Sequence, residues 1–162
     1  MSAKEQFCKN IRLYEKSMYY LAYSIVKNEH DASEIISESI YRAYKAYATL
    51  KHETAFKTWI LRIVHNTAIE TIQKNAMVVP VEQLEDITTE DLRSDITTKM
   101  AVREAVENLK QPYRTVTVLF YYENLSIAEI AHITNSNVIA IRQQLSRSRK
   151  MLSKMLKEDF KV

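Results

Sequence analysis

The chain of 162 residues contains no glycine and only two prolines, Pro80 and Pro112. Glycine adopts positive φ without steric cost and lets backbone approach a ligand closely. Its absence excludes a Walker A phosphate loop and a Gly-rich dinucleotide turn. The Gly-x-Ser-x-Gly elbow of many hydrolases is excluded with them. Tight β-hairpins also lean on glycine, so the chain is expected to fold from helices. Apolar residues make up 46% of it, enough to fill a packed core. At this length the core belongs to one ordinary domain or to two small ones.

Cys8 is the single cysteine, which excludes an internal disulfide and a cysteine-based zinc site. His30, His52, His65 and His132 are scattered and form no ligand-spaced pair. The opening "MSAKEQFCKN" carries charge at once and lacks the apolar run of a signal peptide. No stretch approaches the roughly 20 apolar residues of a membrane span, so a soluble, cytoplasmic protein without membrane insertion is expected. The net charge of +3 is unevenly spread. Lys and Arg outnumber Asp and Glu by 11 to 8 over residues 1–75 and by 11 to 6 over 97–162, but are outnumbered 1 to 6 over 76–96. This division predicts two helical domains, 1–75 and 97–162, joined by a flexible acidic linker over 76–96.

Helical periods support the division. Phe7, Ile11, Tyr14, Met18, Leu21 and Ile25 keep one register to about Lys27. Asp31 is placed to cap a second helix to about Ala48, with Ala32, Ile35, Ile36, Ala43 and Tyr47 inward. "TLKHETAF" reads as a polar loop before a third helix, about 57 to 75, whose buried face is Ile60, Ile63, Val64, Thr67 and Thr71. Trp59, Arg62, Asn66, Glu70 and Gln73 form a separate stripe on it. An aromatic ring, a base and amides on one line can stack on nucleobases and bond them, though Trp59 could equally be core. A helix is expected over about 96–109, and Pro112 suits the first turn of another to about Tyr122.

The segment "LSIAEIAHITNSNVIAIRQQLSRSRKML", residues 125 to 152, is a helix-turn-helix candidate. Ser126 and Glu129 have the spacing of a capping box. Asn135 is suited to a left-handed turn after the first helix. In the second helix Val138, Ile141, Leu145 and Leu152 face a core, whereas Ile139, Gln143, Ser146, Arg147 and Lys150 share another face with Arg142 at its edge. Asn137 to Lys157 holds six bases and no acid. The bland alternative is a helical hairpin with a solvated basic face. Arginine and glutamine, however, are the donors that reach base edges in a major groove.

The order of these pieces resembles the sigma-70 family of bacterial RNA polymerase sigma factors, in its small extracytoplasmic-function branch. "DASEIISESIYRAYKAY" is similar to the family's polymerase-binding helix, and "FKTWILRIVHNTAIETIQK" to the Thr-Trp-Leu-x-x-Ile-x-x-Asn helix that follows it. "LSIAEIAHITNSNVIAIRQQLSRSRKML" resembles the closing helix-turn-helix. The chain departs from the family's pattern at Ser37, where Gln is usual, and at Asn135, where Gly is usual. It departs again over Val138 to Leu145, which leaves the −35 sequence open.

The resemblance implies a non-enzymatic protein, without cofactor or metal, that binds core RNA polymerase at its clamp and flap and directs it to promoters. It implies polymerase contact at Asp31, Glu34 and Glu38. It implies −10 contact at Lys51, His52, Trp59, Arg62, Asn66 and Gln73. It implies −35 contact at Asn137, Ile139, Arg142, Gln143, Ser146, Arg147 and Lys150. An anti-sigma protein is an expected partner. The rival readings are another helix-turn-helix regulator, which would need a strand–helix receiver in residues 1–95, and a helical adaptor without a nucleic-acid role.

Overall fold

The computed structural model describes residues 1–78 and 98–159, and every regular element among them is helical. Helix α1 (Ala3–Val26) starts where the Ser2 side chain accepts the Glu5 amide, at 3.1 Å, and ends at Lys27, which takes φ 50. Helix α2 (Glu29–Ala46) is capped by Asn28, whose Oδ1 accepts the Asp31 amide at 2.9 Å. Asp31 is therefore not the cap that its position suggested. It lies in the first turn, where its carboxylate favours the positive end of the helix dipole. "TLKHETAF" is not a plain loop either. It contains parts of two 3-10 turns, Tyr47–Thr49 and Glu53–Ala55. Glu53 ties the second back to the bundle through Asn10 at 2.8 Å and through the Tyr47 hydroxyl.

Helix α3 (Phe56–Val78) packs on both α1 and α2. The expected linker thus begins later than residue 76, because α3 continues to Val78; its residues 79–96 lie outside the described part of the chain. The buried residues of α3 are Phe56, Ile60, Leu61, Val64, Thr67 and Ala68, while Ile63 and Thr71 are half-buried. The expected face was too narrow because α3 is covered on two sides, by α1 and α2 and by a helix from the second half.

That half comprises α4 (Thr98–Glu107), α5 (Tyr113–Thr117) with a π-helical turn over Val118–Tyr122, α6 (Ile127–Ile133) and α7 (Val138–Asp159). Pro112 sits just before α5, not within its first turn. Gln111 supplies the cap instead, its Oε1 accepting the Thr115 amide at 3.1 Å and hydroxyl at 2.9 Å. The Ser126–Glu129 capping box is complete, and Asn135 takes φ 56 at the end of the turn. Ile141 and Leu145 are fully buried where α7 packs on α4, α5 and α6.

The two halves do not stand apart. A single apolar core runs from Phe7 and Leu21 through Leu61 and Val64 to Leu119, Ile130 and Leu145. Arg114, itself buried, donates to the carbonyls of Leu109, at 2.8 Å, and of Ser24 in α1. Gln111 Nε2 donates to the same Ser24 oxygen at 2.7 Å. Two donors on one carbonyl, the buried Arg114 and the exposed Gln111, fix α1 against the start of α5.

Candidate polymerase and nucleic-acid interfaces

Asp31, Glu34 and Glu38 fall on one side of α2, with Glu34 and Glu38 exposed and Asp31 half-buried. Glu34 lies 3.2 Å from His30 Nε2. Glu38 accepts from Arg42 Nε at 3.0 Å, and Arg42 Nη1 reaches across to Glu70 at 2.8 Å and Thr67 at 3.3 Å. The Glu70 hydrogen bond is the main cause of the raised Arg42 pKa. Arg42 is thus a staple between α2 and α3. Its i+4 spacing from Glu38 was a visible signal; its reach to Glu70 was not.

The α3 stripe has several environments. Trp59 is half-buried, its ring 5.5 Å from Phe56 and 6.2 Å from Tyr47, at the edge of an aromatic cluster that includes Phe7. Gln73 is exposed, as are Lys51 and His52 ahead of α3. Arg62 and Asn66 are half-buried because α6 lies over them. Asn66 Oδ1 accepts from Asn135 Nδ2 at 2.8 Å, and Arg62 Nη1 lies 2.8 Å from Nδ1 of His132. Thr58 donates to Glu129 Oε2 at 2.9 Å, and Lys57 Nζ reaches the Glu123 carbonyl at 2.9 Å and its carboxylate at 3.4 Å. Sequence periodicity cannot find these links, because each joins residues far apart in the chain. Glu129 also accepts the Ser126 amide at 3.1 Å, and that bond is the main cause of its lowered pKa, with Thr58 and Lys57 adding to it against partial burial.

The third set of candidates lies on α7 and at its cap. Asn137, Ile139, Arg142, Gln143, Ser146, Arg147 and Lys150 are all exposed, and Ile139 is 69% accessible. Asn137 also caps the helix, accepting the Ala140 amide at 2.8 Å. Arg149 leaves this face: its Nε donates to the Tyr121 hydroxyl at 2.7 Å, and the guanidinium lies 5.7 Å from the Phe120 ring. Its role is to hold α7 on the π-helical turn.

Two family models match successive parts of the chain. Sigma-70 region 2 matches residues 11–77, and sigma-70 region 4 matches residues 99–152. The chain belongs to the sigma-70 family. RNA polymerase sigma factor SigV of Bacillus subtilis (strain 168) is 31% identical over 91% of this chain and 89% of its own length. ECF RNA polymerase sigma factor SigW of the same strain is 28% identical over 96% and 91%. This is therefore a sigma factor of the extracytoplasmic-function (ECF) branch, and it directs transcription. The fold agrees. The sigma factor RpoE, in a co-crystal structure with the anti-sigma factor NepR from Bartonella quintana, superposes with a TM-score of 0.75 at 17% identity, covering 93% of this chain and 96% of that one. CnrH, in complex with the cytosolic domain of CnrY, gives 0.67 at 20% identity, covering 94% and 88%.

Proposed function

We propose that this sigma factor docks on core RNA polymerase through Asp31, Glu34 and Glu38, meets the −10 strand with α3, and reads the −35 duplex with α7. The α7 face carries the reading. Six side chains of donor or apolar character are exposed together on one helix, with Asn137 at its cap and no acid among them. Phosphate attraction and base-edge donors occur there in one surface. Lys51, His52, Trp59, Arg62, Asn66 and Gln73 supply the −10 contacts, with Trp59 offering its ring edge and the amides offering both donor and acceptor groups. Residues 1–75 and 97–162 act as the two functional domains.

The protein performs no catalysis of its own, and it works in the bacterial cytoplasm, where the polymerase is. An anti-sigma protein is its expected inhibitor, in keeping with the partners named for RpoE and CnrH. A receiver-type regulator is disfavoured because residues 1–78 contain no strand. A helical adaptor is disfavoured by family membership. The test is transcription from candidate promoters by core polymerase with and without the protein. Sigma-dependent transcripts are expected, and their absence across a genomic promoter library would reject the function.

A further inference from the structure

Between α1, α4 and the π-helical turn lies a cavity of about 620 Å³, inside the range of about 300–1,000 Å³ usual for small-ligand sites. Neither half forms it alone. Tyr20, Tyr23 and Lys27 come from the end of α1, and Lys99 and Arg103 from α4. The π-helical turn adds Tyr122. In that turn the Glu123 amide reaches back five residues to the Val118 carbonyl, at 3.2 Å. The wide turn parts two adjacent rings: the Tyr121 hydroxyl meets Arg149 on α7, whereas Tyr122 lines the cavity.

The lining is aromatic and basic. Tyr19 and Tyr23 stack with centroids 6.1 Å apart, and the Arg103 guanidinium lies 5.3 Å from the Tyr20 ring centroid. Val106 and Val118, both buried, complete the apolar part. The charges do not cancel. Arg114 turns to the Leu109 and Ser24 carbonyls, Glu123 pairs with Lys57 at 3.4 Å, and Glu107 approaches Arg103 at 4.0 Å. Lys27, Lys99 and Glu29 make no ion pair among the described residues. That leaves two cations against one acid, which disfavours a cationic guest. Rings that can stack beside unmatched ammonium groups suit a flat molecule with negative charge.

We propose that this cavity is a binding site for a small planar aromatic anion, of the nucleoside phosphate or aryl carboxylate kind. The ring lies against Tyr20 and Tyr122, which are both exposed, and the anionic group is met by Lys27 and Lys99. Because α1 supplies one wall and α4 with the π-helical turn the other, a bound ring ties the two together, and stability should rise with ligand concentration. None of these four residues belongs to the proposed polymerase or promoter contacts, so the site stands independently of that reading.

Titration calorimetry on the full chain tests this, with the nucleoside 5′-monophosphates and salicylate as probes. The matching nucleosides, phenol and inorganic phosphate serve as half-ligands. A whole ligand should bind about tenfold tighter than either half, the factor that one stacked ring or one charged hydrogen bond supplies. Tyr122→Ala and Lys27→Asn/Lys99→Gln should each remove about that gain, whereas Tyr122→Phe keeps the ring and should retain it. Asparagine suits the φ of 50 at Lys27, and circular dichroism checks that each variant remains helical. Whichever probe binds identifies the source of the anion. The same probe should raise the melting temperature of the parent. Saturable binding by none of the probes would overturn the site, as would a half-ligand that binds as tightly as the whole. Binding that survives in the tyrosine and lysine variants but is lost in Arg142→Ala/Arg147→Ala would place the anion on the α7 face instead. A melting temperature that rises with protein concentration and not with any probe would mark the cavity as a contact between copies.

Discussion

Asn135 donates from its side-chain amide to Asn66 Oδ1 at 2.8 Å while its own backbone sits at φ 56. One residue thus closes the helix-turn-helix turn and bridges to the first domain. The two duties separate by substitution. Asn135→Gly keeps the left-handed backbone and loses only the bridge, whereas Asn135→Ala also meets the left-handed penalty of about 1–2 kcal/mol. Thermal melting should rank Ala as the more destabilised of the two. Equal melting temperatures would show that the turn does not need its left-handed residue.

Among the described residues, His65 and Glu129 contribute to the acid response in different windows. Burial lowers the pKa of His65 from its ordinary 6.5. The unfolded chain then binds the extra proton first, so stability is full above 6.5 and falls as pH drops below it. The pKa of Glu129 is lowered from 4.5, chiefly by the Ser126 amide. Its contribution is present above 4.5 and is lost as pH falls through the folded value. Urea titrations across pH should show both slopes, with His65→Asn flattening the upper and Glu129→Gln the lower.

Arg142→Ala and Arg147→Ala should leave the melting temperature nearly unchanged, because both side chains are exposed. If either contacts a base, promoter binding by the holoenzyme should weaken by about 1–3 kcal/mol, with relaxed preference at one position. A phosphate contact would instead weaken all sequences alike and reduce the salt slope by about 1. Holoenzyme binding that neither variant alters would remove α7 as the reading surface.

Glu34→Lys should weaken core-polymerase pull-down without disturbing α2, because Glu34 is exposed and its neighbour there is His30. Asn66→Ala should spare pull-down and reduce permanganate reactivity of the −10 region. The reverse pattern would mean that the two surfaces have been exchanged. Glu38 is a poorer probe, since its loss also unpairs Arg42 from one of two carboxylates.

Leu61→Ala should cost about 2–5 kcal/mol, the usual range for truncating a fully buried leucine. Leu61 contributes to the core that both halves share, so a single cooperative unfolding transition is expected in the parent. Two calorimetric transitions in the parent would show that the halves unfold separately.

The helices were legible because their signals are local. The Ser126–Glu129 capping box, the left-handed Asn135 and the buried register of Ile141 and Leu145 depend on neighbours within a few residues. The exposed α7 face followed from the same period. What escaped were links across long stretches of chain: Arg42 to Glu70, Lys57 to Glu123, and Asn66 to Asn135. Such pairs carry no spacing, so an amide read as available to DNA turned out to be occupied. The helix starts were misplaced by a few residues: Asn28, not Asp31, caps α2, and Pro112 precedes α5 instead of lying in its first turn.

Lys27, Asn124 and Asn135 hold the three positive-φ positions among the described residues, and none is glycine. A chain without glycine begins from a stiffer denatured ensemble, so fixing its backbone forfeits less disorder than usual. That gain is partly returned wherever a Cβ is pressed into the left-handed region. Asparagine tolerates it through local side-chain bonds, but lysine has no such relief. The familiar engineering rule is therefore inverted at the end of α1. There, exchanging a larger residue for glycine removes native-state crowding, at the expense of loosening the unfolded chain, and the balance of the two decides how firmly α1 hands over to α2.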